Sequence, residues 1–184
     1  RLALDYPDNV NRLAVLDIIP TYDMWDTMTA RSAMANYHWT FLAQPFPLPE
    51  TLIEPAAVHY IDHTLASWTK SKDLSAFHPD ALAHYRHFLT RPEAIRAFCE
   101  DYRAGQTYDR RADQLDREKG NRIRCPMLAV WGKTGIPASE ADDPLVIWRK
   151  WSDNIEGLEI DSGHFVAEEN PQQTLDALLP FLRK

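Results

Sequence analysis

No nucleophile elbow occurs anywhere in these 184 residues: there is no Gly-x-Ser-x-Gly, and no serine or cysteine occupies a comparable corner. A catalytic base and an orienting acid cannot perform covalent hydrolysis without a nucleophile, so the sequence does not by itself hold a complete set of such groups. Long apolar runs are missing too; none approaches the ~18–20 residues that span a bilayer. No signal-peptide pattern opens the chain, and the expectation is a cytoplasmic protein. Cysteine is scarce. Cys99 and Cys125 lack metal-ligand spacing, and two buried thiols in a reducing compartment are a simpler reading than a disulfide. Positive charge is short as well, with 20 Lys and Arg against 27 Asp and Glu and a net charge of −7. An acidic surface attracts neither nucleic acid nor an anionic membrane, which removes both from the expected partners. Internal repeats and low-complexity tracts are absent.

What remains is an ordinary globular composition, 45% apolar and 26% charged. The length suits one domain with a real core, or part of a larger one. Residues 1–20 read as the end of a helix, a turn at Pro7-Asp8-Asn9 and a strand from Leu13 to Asp17. Its unbroken apolar run fits a parallel strand buried on both faces. From about 21 to 122 only helix signals follow, over Thr27–Gln44, Ala56–Thr69 and Pro79–Leu89. Thr90-Arg91-Pro92-Glu93 reads as a capping box opening a helix that runs to Gly105. The charged stretch Tyr108–Arg124 reads as a solvated helix and linker.

Pro126–Gly132 returns to the buried-strand pattern, and Asp143-Pro144 caps a helix through Trp151. Leu158–Ile160 forms a third strand. After His164, Asn170 and Pro171 open a closing helix carrying Leu175, Leu178, Leu179 and Leu182 at helical spacing. Strands alternating with helices predict a parallel α/β sheet. The predicted division is core at 1–20, a helical cap at 21–122 over the carboxyl edge of the strands, and core again at 123–184.

A few residues carry chemistry in this frame. His164 follows Gly163 just after a strand, the position of a turn residue or of a general base. An imidazole relays protons near neutral pH only if a second group fixes its tautomer. Asp17 stands at a strand's carboxyl end, where open α/β sheets bind ligands, and reads equally as that partner or as a turn carboxylate before Pro20. His38 and Trp39 project about 100° apart on a helix. They either flank one pocket or are one core aromatic and one surface histidine. Tyr102 extends the apolar line Ile95, Phe98, Cys99, so packing also accounts for it if its hydroxyl finds a partner. His59 and His63 have the spacing of a metal pair but no third ligand; His84 and His87 are weaker still.

Several stretches together resemble the fluoroacetate (haloacetate) dehalogenases of the α/β-hydrolase fold. They are Arg1-Leu2-Ala3-Leu4-Asp5-Tyr6-Pro7, Leu13-Ala14-Val15-Leu16-Asp17-Ile18-Ile19-Pro20-Thr21-Tyr22, Tyr37-His38-Trp39, Asp101-Tyr102-Arg103-Ala104-Gly105 and Gly163-His164-Phe165. The pairing of His-Trp with Asp-Tyr-Arg-Ala-Gly distinguishes that family from epoxide hydrolases and haloalkane dehalogenases. The resemblance implies Asp17 as triad acid, His164 as base, and His38, Trp39 and Tyr102 as donors to a departing halide, with Trp68 lining the same pocket. It implies no cofactor and no metal, a small haloacid as substrate, and a homodimer. It also implies that the nucleophilic aspartate, the two arginines that clamp the substrate carboxylate, and the first strands of the core lie upstream of Arg1. On that expectation the chain needs this N-terminal segment and is inactive alone. Epoxide hydrolysis and a catalytically incomplete fragment are the competing expectations.

Overall fold

A computed structural model describes residues 1–135 and 144–183. Helix α1 (Leu2–Asp5) leads to strand β1 (Leu13–Leu16), and strands β2 (Met127–Gly132) and β3 (Ile155–Ile160) follow the long helical stretch. The three strands form a parallel sheet in the order β1-β2-β3, with Leu13 opposite Met127 and Met127 opposite Ile155. Alternation along β2 divides the core. Met127 and Ala129 join Ala3, Val15, Ile123, Trp148 and Trp151 on one face, while Leu128 and Val130 join Ile160, Val166 and Phe181 on the other. Burial on both faces is why β2 reads as a continuous apolar run. Strand β3 starts three residues earlier than its apolar signal, because Ile155, Gly157 and the exposed Glu156 and Glu159 pair as an edge strand.

Between β1 and β2 the chain is helical: α2 (Thr21–Asp26), α3 (Ala30–Ala35), α4 (Tyr37–Leu42), α5 (Leu48–Ile53), α6 (Ala57–Trp68), α7 (Pro79–Leu89), α8 (Pro92–Ala104) and α9 (Arg110–Lys119). These helices have a core of their own, made of Leu42, Ile53, Ala57, Leu89, Ile95 and Cys99. Two smaller clusters join them to the sheet layers. One unites Ile19, Met24 and Ile147 with Trp39, and the other unites Leu65, Phe77 and Leu82 with Phe165.

Several expected boundaries move, each for a local reason. The helix expected over Thr27–Gln44 is two helices broken at Asn36. The first is opened by a reciprocal box in which Ser32 N–H donates to Thr29 Oγ1 and Thr29 N–H to Ser32 Oγ. The box expected at Thr90–Glu93 does not form. The Thr90 hydroxyl donates instead to the His87 carbonyl at 2.7 Å, closing the last turn of α7, and Arg91 precedes Pro92 as the cap. Gly105 does not stop α8, because it keeps right-handed helical angles. The backbone passes through a five-residue π turn, Gly105–Asp109, into α9, and stops only at Gly120, where φ is +71°.

Helix α9 is more than a solvated connection. Asp113 is buried against Arg1 at 2.6 Å, and Arg117 donates to the buried Asp23 at 3.1 Å. Asp143 lies outside the described residues; α10 (Pro144–Trp148) ends before Trp151. Short α11 (Val166–Glu169) precedes α12 (Pro171–Arg183), whose inner stripe is Thr174, the half-buried Leu178 and Phe181 at i, i+4, i+7. Leu175, Leu179 and Leu182 of the expected apolar face are exposed, as are Leu2 and Ile18. Among the described residues, β1 pairs on one side only.

Asp23 ties α2, α9 and the segment after α10 together. Its Oδ2 accepts the Trp151 indole N–H at 2.6 Å with both groups buried. Asp23→Ala strands that N–H without a partner and is expected to destabilise the fold by about 1–3 kcal/mol. The midpoint of urea unfolding followed by tryptophan fluorescence measures it.

Candidate active site

Strand β1 ends at Leu16, and the next residue, Asp17, turns sharply with φ +50°. A left-handed conformation is costly for a residue with a Cβ and persists only where surroundings hold it. Here they do. The Asp17 N–H donates to the Val130 carbonyl at 2.8 Å, prolonging the sheet ladder, while Oδ1 accepts the Gly132 N–H at 2.8 Å. The carboxylate is 1% exposed, and its Oδ2 lies 2.8 Å from Nδ1 of His164. A carboxylate can only accept, so Nδ1 carries the proton of this bond and Nε2 is the ring nitrogen left over.

The turn has no room for larger residues. A Cβ on Gly135 would stand 2.1 Å from Asp17 Oδ1, and one on Gly163 would stand 2.5 Å from the Lys70 nitrogen. The second approach has a purpose: the His164 N–H donates to the Trp68 carbonyl at 2.9 Å, joining the histidine's loop to the end of α6.

Above His164 the aromatic side chains meet in sequence. Trp68 stands edge-on to His164 at 5.3 Å between ring centroids and packs on His38 at 4.3 Å. His38 meets Tyr102 at 5.6 Å, and Tyr102 meets Trp39 at 5.6 Å. Packing against the helix side brings both neighbours of the His38-Trp39 pair to Tyr102, so neither histidine nor tryptophan is a surface group. The break at Asn36 starts α4 at Tyr37 and sets this orientation. Arg103, next to Tyr102, donates through both terminal nitrogens to Glu50 at 2.7 and 2.9 Å, fixing α8 against α5. Such bidentate pairs restrain geometry as well as add energy.

The electrostatics of this roof favour neutral donors. His38 is 2% exposed, and burial, followed by the charge of His164, pushes its pKa down to about 3. Its Nδ1 is buried without a hydrogen-bond partner among the described residues. Burial, with Asp101 adding to it, also holds the Tyr102 phenol well above its usual range and keeps its O–H protonated. A buried polar atom without a partner calls for one, and a ligand atom or a water beside His38 would supply it.

Two residues escape the sequence. Trp25 packs edge-on to Trp39 at 5.6 Å, and its indole N–H is likewise buried and unpaired. Glu169 bonds the backbone around His164. Neither has a spacing signal, since their partners are distant or are backbone groups. His59 and His63 stack with centroids 6.4 Å apart, and no group of three His, Cys, Asp or Glu among the described residues could hold a metal ion. No helix among them is long and apolar enough to cross a membrane. A cleft of about 410 Å³ lies away from this site, beside β1, lined by Leu2, Val10, Leu13, Ile18 and Trp148.

A crystal structure of a candidate alpha/beta hydrolase from Nostoc sp PCC 7120 matches 99% of this chain with a TM-score of 0.93 and 45% identity. The fold is that of the α/β hydrolases. The match covers 61% of that structure's chain. A fluoroacetate dehalogenase from Burkholderia sp is 37% identical over 182 residues, 99% of this chain and 59% of its own length. A soluble epoxide hydrolase from Corynebacterium sp. (strain C12) is 27% identical over 181 residues, 97% of this chain and 60% of its own length. The chain thus spans about three-fifths of the curated relatives it matches. No protein-family model matches it.

His38 is expected to stay neutral throughout the physiological range. Its depressed pKa means that the unfolded chain binds more protons than the folded one between about pH 6.5 and pH 3. Stability therefore falls as pH drops through that window. Histidine ring NMR should show His38 silent from pH 8 to 5, while His38→Gln flattens the acid side of the stability profile.

Proposed function

We propose that this chain is the part of a haloacetate dehalogenase that carries the base and the halide pocket. In this reading an aspartate on an elbow-bearing segment N-terminal to Arg1 attacks the α-carbon of a small haloacid such as fluoroacetate. The carbon–halogen bond breaks, and the halide leaves with its electron pair. His164, oriented by Asp17, then takes a proton from water, and the resulting hydroxide attacks the ester carbonyl. Glycolate is released and the aspartate is regenerated.

The observation that carries the reading is the box formed by His38, Trp39, Tyr102 and Trp68 over the Asp17–His164 pair. Fluoride is a poor leaving group, so donors must be aimed where its charge develops. One such preorganised donor is worth about 3–4 kcal/mol. A neutral imidazole with an unpaired buried nitrogen, an indole that can only donate, and a protonated phenol suit a small anion. The 37% identity to a fluoroacetate dehalogenase supports the same assignment. The one-sided pairing of β1 and the exposed Leu2 and Ile18 beside it support completion of the sheet by the elbow-bearing segment. A second reading, epoxide hydrolysis, is favoured by Tyr102, whose protonated phenol could donate to an epoxide oxygen. A relative named as a soluble epoxide hydrolase supports it too. That reading leaves His38 and Trp39 without a task.

Fluoride release decides between them. The complete protein is expected to release fluoride and glycolate from fluoroacetate, and the 184-residue chain alone to release neither. Replacing Trp39 by Phe is expected to slow fluoroacetate turnover on the order of 10²–10³-fold. His164→Gln should release one equivalent of halide and then stall, with the ester visible as added mass. Preferential turnover of an epoxide, lost in Tyr102→Phe, would instead establish the second reading.

A further inference from the structure

Glu169, the last residue of α11, is surrounded by backbone donors rather than side chains. Its Oε2 accepts the N–H of Gly163 at 2.9 Å and the N–H of Lys70 at 2.7 Å, and its Oε1 accepts the N–H of Phe165 at 3.0 Å. Gly163 and Phe165 are the two neighbours of His164. Lys70 lies two residues beyond Trp68, whose carbonyl holds the His164 N–H and whose ring packs on both His164 and His38. One carboxylate therefore holds both flanks of the histidine and the strand of chain that carries the pocket's central indole. Lys70 Nζ also pairs with Asp161, on the approach to the same loop.

We propose that Glu169 is a positioning residue that locks the His164 loop and the Trp68–Lys70 segment into one rigid unit, so that the base and the halide pocket keep a fixed separation. The inference rests on the assignment of His164 as the base. Three N–H donors divided between two oxygens need an acceptor with both oxygens free of a proton, and charge-assisted bonds of this kind are about twice as strong as neutral ones. A glutamine in the same place turns an NH₂ group toward at least one of the three N–H groups and loses that bond. The neighbouring Glu168 is a natural control, because its carboxylate accepts the Tyr85 hydroxyl at 2.6 Å, away from the loop.

The test uses the complete protein as wild type, Glu169→Gln, Glu169→Asp and Glu168→Gln. Glu169→Gln is expected to lower hydrogen-exchange protection within the set of Lys70, Gly163 and Phe165 amides, most at those left facing the NH₂ group. It should also abolish the far-downfield NMR signal of the His164 Nδ1 proton, which requires a fixed bond to Asp17. Ester hydrolysis should slow on the order of a hundredfold while the first equivalent of halide is still released, as expected for a displacement near 1 Å of a reacting group. Glu169→Asp, one methylene short of Lys70, should lose protection at Lys70 first; Glu168→Gln should change none of these. An unchanged His164 signal and unchanged protection in Glu169→Gln would overturn the proposal. Should His164 not be the base, His164→Ala will retain turnover, while the exchange and NMR results still decide what Glu169 does.

Discussion

The hydrogen bond between Asp17 and His164 joins residues 147 positions apart. Everything between them must return the chain to the edge of the same sheet. The parallel register of β1, β2 and β3 achieves this, because all three strands end on one side and deliver Asp17, Gly132 and the turn before His164 to adjacent places. The left-handed backbone at Asp17 is the local cost of that arrangement. It is held by bonds to Val130 and Gly132 and by the lack of a side chain on Gly135. A strained residue at a strand end, over-determined by its neighbours, is where preorganisation of a site is expected.

The helical stretch inserted between β1 and β2 has its own apolar centre, and polar links bind it to the sheet layers, among them Asp113 to Arg1 and Tyr85 to Glu168. Asp23 holds one end through Trp151 and Arg117, and the Trp68–Lys70 segment holds the other through the histidine loop. The aromatic box hangs between these two anchors. Its members are therefore positioned from both sides: Tyr102 through Arg103 and Glu50 on α8 and α5, and Trp68 through its own backbone carbonyl.

Much of this was legible in the residues. Four apolar residues followed by Asp17, and a short apolar run followed by Gly163-His164, marked the sheet edge, although only β2 is buried on both faces; β1 is half-buried apart from Val15, and β3 is an exposed edge strand. His38-Trp39 stood out because neighbouring helical side chains diverge, and resemblance grouped the pair with Tyr102 and Trp68, whose rings it meets. The α/β class follows from alternation alone, and the similarity to α/β hydrolases agrees with it. What stayed hidden was competition for single groups. Thr90 could cap α8 or close α7, and the nearer carbonyl won. Gly105 looked like a stop, but a glycine without left-handed angles is only a narrow residue in a continuing helix. Asn36 carried no breaker signal, although it separates two helices. Glu169 was invisible because its three partners are backbone N–H groups, which no side-chain pattern encodes.

The π turn at Gly105–Asp109 has a consequence for how α8 and α9 face their partners. It holds one residue more than a regular helical turn, and an extra residue twists everything on one side of it by about 100° relative to the other. Deleting a residue there would straighten the rod and, with Tyr102 and Arg103 held on the near side by Glu50, would turn α9 and carry Arg117 and Asp113 away from Asp23 and Arg1. The turn is thus a phase-setting joint: it lets one continuous rod present Tyr102 to the aromatic box and Arg117 to Asp23.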